Sequence, residues 1–251
     1  MEPGSSTKNG LEIAAAAVRL GGVSRGYGDY CPIAKASEIL AERWTPLVIR
    51  NLYLDCHSFT EIHEGIPRMS RTLLAQRLRS LERAGVVSSK PSPVGRGRRY
   101  DLTTSGKELA QVCLELGVWG ARWLELAPSD YDPAMVLWGW KKFLALDRLP
   151  QRRVVVRFDL RDRPRQRFWL LVERPRVELC IKDPGFEADL RITTDTVTLT
   201  HVHGGRLSLR EARRSGAWLM EGPRDLVRGF PAWGGLSYYA DVRPAVVAAS
   251  A

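Results

Sequence analysis

The sequence predicts an α+β chain in two parts, a mostly helical N-terminal domain and a C-terminal sheet domain with flanking helices. Two patterns carry this. From Tyr30 to about Ala127 apolar residues recur at helical spacing, and from Val154 onward they alternate with period two. Between them lies Pro128-Ser129-Asp130-Tyr131-Asp132-Pro133, a cluster of helix and strand breakers. The chain has 251 residues, which suits two domains of ordinary size. The expected division is a tail at 1–28, a first domain at 29–127, a linker at 128–133, a second domain at 134–240 and a tail at 241–251.

In the first domain, Leu11–Leu20 is compatible with a short helix inside the tail. Thr45-Pro46 opens a helix, with Thr45 as cap and Pro46 in the first turn; Leu47, Val48 and Leu52 form its apolar side. Ser58-Phe59-Thr60-Glu61 is a capping box for a second short helix ending at Gly65. After the tight connection Ile66-Pro67-Arg68-Met69, Ser70 caps a third helix over Arg71–Ala84, which Gly85 stops. Leu73, Leu74, Leu78 and Leu81 form its apolar side, and Arg71, Thr72, Gln76, Arg79 and Arg83 its polar side. Val86–Lys90 and Arg99–Leu102 read as strands around a Gly/Pro/Arg turn. Ser105-Gly106-Lys107-Glu108 opens a long helix.

In the second domain, a helix over Ala134–Leu149 ends at Pro150. Val154–Leu160, Phe168–Glu173, Arg176–Lys182, Asp189–Thr194 and Thr198–Val202 read as five strands. Two short helices follow, one opened by the capping box Ser208–Glu211, the other with Pro223 in its first turn.

Composition narrows the function. Hydrophobic residues make up 44% and charged residues 26%, which excludes wholesale disorder. No apolar run approaches the roughly 18 residues of a membrane span, and no leader-like segment opens the chain, so a cytoplasmic protein without a membrane partner is expected. The four cysteines, Cys31, Cys56, Cys113 and Cys180, are scattered without a C-x-x-C, which argues against a disulfide scaffold or zinc finger. The net charge is +10, from 38 basic and 28 acidic residues. It is concentrated: Arg68–Arg99 holds nine basic residues against Glu82 alone, hence +8. A polyanion partner follows from that concentration. A second run, Arg152–Arg167, has seven arginines against Asp159 and Asp162; alternating with Val and Phe, it reads as a solvated strand face.

A short helix, a tight turn with Gly, and a second helix with a basic face form a helix-turn-helix, whose second helix enters the DNA major groove. Ser70, Arg71, Thr72 and Gln76 lie at its N-terminal part; Arg and Gln can each bond a guanine or adenine edge through two hydrogen bonds. A hairpin carrying Arg96, Arg98 and Arg99 directly after it is a wing, suited with Arg68 and Arg79 to DNA phosphates. On the long helix, Leu109, Val112, Leu116, Trp119 and Trp123 repeat at spacings of 3, 4, 3 and 4. This seam either packs on the domain's own core or joins two copies, pairing two recognition helices; the dimer is favoured.

Several motifs spread over about 30–127 resemble the HxlR-type winged-helix transcriptional regulators: Tyr30-Cys31-Pro32-Ile33, Glu42-Arg43-Trp44-Thr45, Ser58–Ile62, Ile66–Ser70, Leu81-Glu82, Gly85-Val86-Val87 and Tyr100–Thr103. The resemblance implies a dimeric bacterial repressor or activator on palindromic operator DNA. It also makes Cys31 a candidate redox thiol, since a cysteine here is a sensor in some members; Lys35, one turn on, is the one base placed to help. The extended C-terminal part is a departure from the family. Residues 134–236 more weakly resemble the sterol-carrier-protein-type-2-like fold, through Asp183–Glu187, Leu190–Ile192, Gly205–Leu209 and Gly222-Pro223. That implies an apolar cavity between sheet and helices for a hydrophobic small-molecule effector. Trp138, Phe143, Trp169 and Trp218 are candidate lining residues, although most of this domain's aromatics belong to its core.

Cys56-His57 and His201-Val202-His203 are metal-like only superficially, because no third ligand is near in sequence. No nucleophile motif, paired-carboxylate pattern or phosphate-binding Gly-rich loop is present, so neither catalysis nor a cofactor is expected. The function read from the sequence is thus a homodimeric DNA-binding regulator. The alternative is a hydrophobic-ligand carrier whose N-terminal half is an interaction module.

Overall fold

The computed structural model describes residues 26–93 and 96–245. The helix expected at Leu11–Leu20, the hairpin tip at 94–95 and the tail beyond 245 lie outside them. The chain forms two compact units. One comprises the chain up to Phe59 together with Arg68–Ala110, the other Thr60–Pro67 together with the chain from Gln111 onward. The division within the long helix differs from the expected linker at 128–133, where Pro128–Asp130 forms a 3-10 turn and Asp132 caps the next helix.

Along the chain the first elements are α1 (Pro32–Leu40), α2 (Thr45–Tyr53), α3 (Phe59–Glu64), α4 (Arg71–Arg83), the antiparallel strands β1 (Val87–Pro91) and β2 (Arg98–Leu102), and α5 (Thr104–Trp123). In the first unit, Val48, Ile49 and Leu52 of α2 are buried, as are Leu74, Leu78 and Leu81 of α4. Two starts differ from expectation. Thr45 is the first residue of α2 and fully buried, and Trp44 holds the cap position at φ 77°. A threonine turned into the core cannot present its hydroxyl to the first turn. Thr103 rather than Ser105 opens α5: its Oγ1 accepts from the Gly106 N–H at 3.1 Å. Gly106 is required there, since a Cβ would lie 2.1 Å from the Val86 carbonyl oxygen. Gly85 ends α4 at φ +74°, as its place after the apolar run predicts.

The second unit is built on a five-stranded sheet. Its elements are α6 (Pro133–Lys142), β3 (Val154–Leu160), β4 (Arg167–Glu173), β5 (Arg176–Cys180), β6 (Leu190–Thr194), α7 (Thr196–His203), α8 (Leu209–Arg214), β7 (Leu219–Glu221) and α9 (Arg224–Gly229). Strand order is β5-β4-β3-β6-β7, with β3 and β6 parallel and the other pairs antiparallel. Four expected strands are present. The fifth, Thr198–Val202, is not a strand but most of α7. Asp195 caps that helix, accepting from the Thr198 N–H and hydroxyl, both at 2.7 Å, and the Thr200 hydroxyl bonds back to the Thr196 carbonyl. These local bonds override the strand preference of a Thr/Val run. The fifth strand is β7, too short for period two to register. The helix expected over Ala134–Leu149 stops at Lys142; the chain then bridges Leu144 to Gly234 and makes a 3-10 turn at Leu146–Arg148. The Ser208–Glu211 capping box forms as expected, whereas Pro223 is the cap residue of α9 rather than part of its first turn.

Candidate nucleic-acid interface

The third helix of the sequence analysis is α4. Ser70 is its cap, with Oγ accepting from the Leu73 N–H at 3.2 Å. Because Leu74, Leu78 and Leu81 take the core side, Arg71, Thr72, Gln76, Arg79 and Arg83 are left exposed. Ser70 is exposed beside them, at the helix end whose free N–H groups favour anions. The Arg71 guanidinium rests over the Phe59 ring, 5.3 Å from its centre, which gives its side chain a platform. Arg77 lies apart from this face. Its side chain is 15% exposed and bonds Glu42 at 2.9 Å, so it is a structural arginine.

The hairpin follows with Val87 paired to Leu102 and Pro91 to Arg98. The structure separates the three wing arginines. Arg96 is exposed and makes no ion pair among the described residues. Arg98 bonds Ser89 and reaches Glu82 at 3.5 Å, the same Glu82 that the Ser89 hydroxyl contacts. Arg99 is held by Asp101, Nε to Oδ1 at 3.0 Å, and Asp101 also meets His57 Nδ1 at 3.0 Å. Burial and the Glu82 charge raise the Tyr100 phenol pKa above its usual value. Arg98 and Arg99 therefore stiffen the hairpin while remaining partly open, and Arg68, Arg79 and Arg96 are exposed without ion pairs among the described residues. Sequence reasoning missed the roles of Glu82 and Asp101. The signal was Glu82's position as the lone acid in a +8 segment.

On α5, Val112, Leu116, Trp119 and Trp123 are each more than half exposed, and Leu109 is half-buried. Four large apolar side chains at heptad spacing on one exposed stripe do not pack on the chain's own core. Cys113 and Leu114 take the buried sides, and burial pushes the Cys113 thiol up to about 11. Cys31 is partly exposed at the start of α1, but Lys35 is bonded to Glu38 at 3.1 Å rather than left to a thiolate.

In the second unit, Trp218 is fully buried in an aromatic cluster. Its ring stacks on Trp140 at 5.7 Å between centres, and Phe230 stacks on Trp140 at 6.1 Å. Trp138 and Trp169 are buried and Phe143 half-buried. A cavity of about 370 Å³ does exist in this unit, but none of the four expected aromatics lines it. Its walls come from the second half of α5, the end of α7 and residues 237–242. His201 and His203 lie on α7, where residues two apart diverge by about 200°, and both line this cavity. Among the described residues no group of three or more His, Cys, Asp or Glu is placed to hold a metal ion, and no helix is long and apolar enough to cross a membrane.

A short helix, a turn, an arginine-bearing helix and a hairpin define a winged helix-turn-helix protein. The chain belongs to the HxlR-like helix-turn-helix family, whose model matches residues 39–128. It is 36% identical to the HTH-type transcriptional regulator YvaP of Bacillus subtilis over 106 residues, which are 41% of this chain and 96% of YvaP. It is 34% identical to the HTH-type transcriptional regulator YodB of the same organism, over 40% of this chain and 89% of YodB. The crystal structure of sterol carrier protein 2-like 2 from Aedes aegypti is 16% identical, with a TM-score of 0.27, over 35% of this chain and 82% of that one. The protein is an HxlR-type helix-turn-helix transcriptional regulator.

Proposed function

We propose that this regulator binds operator DNA as a homodimer and that a hydrophobic small molecule acts through its second unit. The observation that carries the DNA reading is the face of α4: Ser70, Arg71, Thr72 and Gln76 stand exposed at its N-terminal end, opposite three buried leucines. Arg71 and Gln76 have the donors to read base edges; Arg68, Arg79 and Arg96 are available to phosphates, with Arg98 and Arg99 as shared contacts at the wing. The exposed stripe Val112–Trp123, with Leu109, supplies the dimer seam. Small-molecule control is supported by the relative YodB, one of whose crystal structures is quinone-bound. Ligand carriage alone is not favoured, because a carrier needs no row of exposed arginines on a helix-turn-helix.

Fluorescence anisotropy on the DNA immediately upstream of the protein's own coding sequence tests this, with salt titration and scrambled competitor. Specific DNA is expected to bind at least about 10³-fold tighter than scrambled DNA. Equal affinity for both overturns the operator reading.

A further inference from the structure

The 370 Å³ cavity of the second unit has a composition that its surroundings do not require. Gly120 and Ala121 of α5, with Leu124 just beyond it, form one wall; His201 and His203 of α7, with Arg206 beyond it, form a second; Tyr239 and Val242 form a third. The third wall is a strap tied at both ends. The Ser237 N–H donates to the His203 carbonyl at 2.7 Å, and the Ala245 N–H to the Arg122 carbonyl at 2.7 Å, near the end of α5. Two glycines let it lie close. A Cβ on Gly117 would be 2.1 Å from the Tyr239 hydroxyl, and one on Gly205, which has φ +71°, would be 2.2 Å from the Ala240 carbonyl. The stretch 241–245, expected as tail, is thus a fixed part of a site.

We propose that this cavity binds a short apolar monocarboxylate and that α5 transmits its occupancy to the dimer seam. The small and aliphatic side chains of Gly120, Ala121, Leu124 and Val242 leave room for an apolar body beside the rings of His201, His203 and Tyr239. Arg206 is exposed on the wall and makes no ion pair among the described residues, with Ser237 as a nearby hydroxyl. One uncompensated guanidinium at an apolar cavity selects a carboxylate head. The volume is at the small end of the range of about 300–1,000 Å³ for small-molecule sites, which favours a short acid over a sterol-sized body.

The regulatory part rests on the homodimer reading above. At 100° per residue, the seam residues Leu116, Trp119 and Trp123 and the cavity residues Gly117, Gly120 and Ala121 lie on neighbouring flanks of α5, about a third of a turn apart. A ligand seated on one flank contacts the helix that carries the other. If its affinity differs between DNA-competent and incompetent states, it shifts operator affinity, and operator DNA shifts its affinity by the same factor.

Isothermal titration of the full chain with octanoate and 4-phenylbutyrate, against octanol and 4-phenylbutanol, tests the site. One saturable site per chain is expected, with each acid at least tenfold tighter than its alcohol. Arg206→Gln should erase that preference. Ala121→Trp and Val242→Trp should each abolish binding, with folding checked by near-ultraviolet circular dichroism, so one misfolded variant leaves the other as the test. No saturable acid binding, or acid binding unchanged in a folded cavity-filled variant, overturns the site; equal affinity for acid and alcohol overturns the carboxylate class. Octanoate is then expected to change affinity for the upstream DNA at least fivefold. Binding of octanoate without that change overturns the coupling. Failure of DNA binding or dimerisation with octanoate binding intact overturns the regulator reading and leaves the site standing.

Discussion

Two stretches of this chain hold similar numbers of arginines, eight in Arg68–Arg99 and seven in Arg152–Arg167, and the fold uses them differently. In Arg152–Arg167 the guanidiniums are mostly engaged. Arg152 bonds Asp189 at 3.0 Å, Arg157 bonds Asp159 at 2.8 Å, and Arg167 approaches the same Asp159 at 3.6 Å. Arg161 and Arg163 donate to backbone carbonyls, and Arg153 covers the Phe186 ring at 4.2 Å. In Arg68–Arg99, Arg77, Arg98 and Arg99 are held by carboxylates, whereas Arg68, Arg79 and Arg96 are exposed without ion pairs among the described residues. Arginine count therefore does not separate the two runs; the guanidiniums left unengaged among the described residues do, since Arg152–Arg167 draws on backbone carbonyls and a ring as well as carboxylates. Exposed ion pairs contribute little stability, about 0–1 kcal/mol each, so the second run serves mainly to keep a sheet face solvated.

The largest expected effect sharpens this comparison by removing the seam that would double the first surface. Leu116→Glu with Trp119→Glu should convert a dimer to a monomer in sedimentation velocity and lower operator affinity by about 10² or more, because two half-sites then no longer bind together. A persistent dimer would place the interface elsewhere. Next come the base-reading residues. Arg71→Ala or Gln76→Ala should cost about 1–3 kcal/mol and relax preference at one base position, read by competition with single-base operator variants. A uniform loss across all sequences would reassign that residue to the phosphates.

The smallest effect belongs to the second unit and involves no DNA. His203 is partly buried, its Nδ1–H donates to the Gly235 carbonyl, and desolvation lowers its pKa below the ordinary value of 6.5. The folded chain keeps it neutral while the unfolded chain protonates below 6.5. Its contribution to stability is thus complete above that pH and declines as pH falls. The urea midpoint should be lower near pH 5 than near pH 8, and His203→Gln should shrink the difference. An unchanged difference would assign the acid sensitivity to other groups.

The first unit was more legible in sequence than the second for a physical reason. Its recognition-type helix is bounded by local signals: Ser70 caps α4 and Gly85 stops it by chemistry visible within three residues. The seam was visible as spacing, although only structure shows Val112, Leu116, Trp119 and Trp123 exposed. In the second unit, α7 misled because Asp195 and the threonine hydroxyls outweigh β-branched preference, and β7 is only three residues long. The aromatic candidates misled as well, since large apolar side chains fill cores; Trp218 joins Trp140 and Phe230 there. The cavity is marked instead by the absence of bulk at Gly117, Gly120 and Ala121.

Availability, rather than number, separates the two arginine runs. The direct measurement is the salt dependence of operator binding for two triple variants. Arg68→Ala/Arg79→Ala/Arg96→Ala should flatten the slope of log affinity against log salt by roughly 5, about 0.9 for each of the phosphates that the two protomers no longer neutralise. Arg152→Ala/Arg153→Ala/Arg167→Ala, three arginines that are exposed but engaged, should leave the slope unchanged. Equal flattening by both, or flattening by the second alone, would contradict the claim.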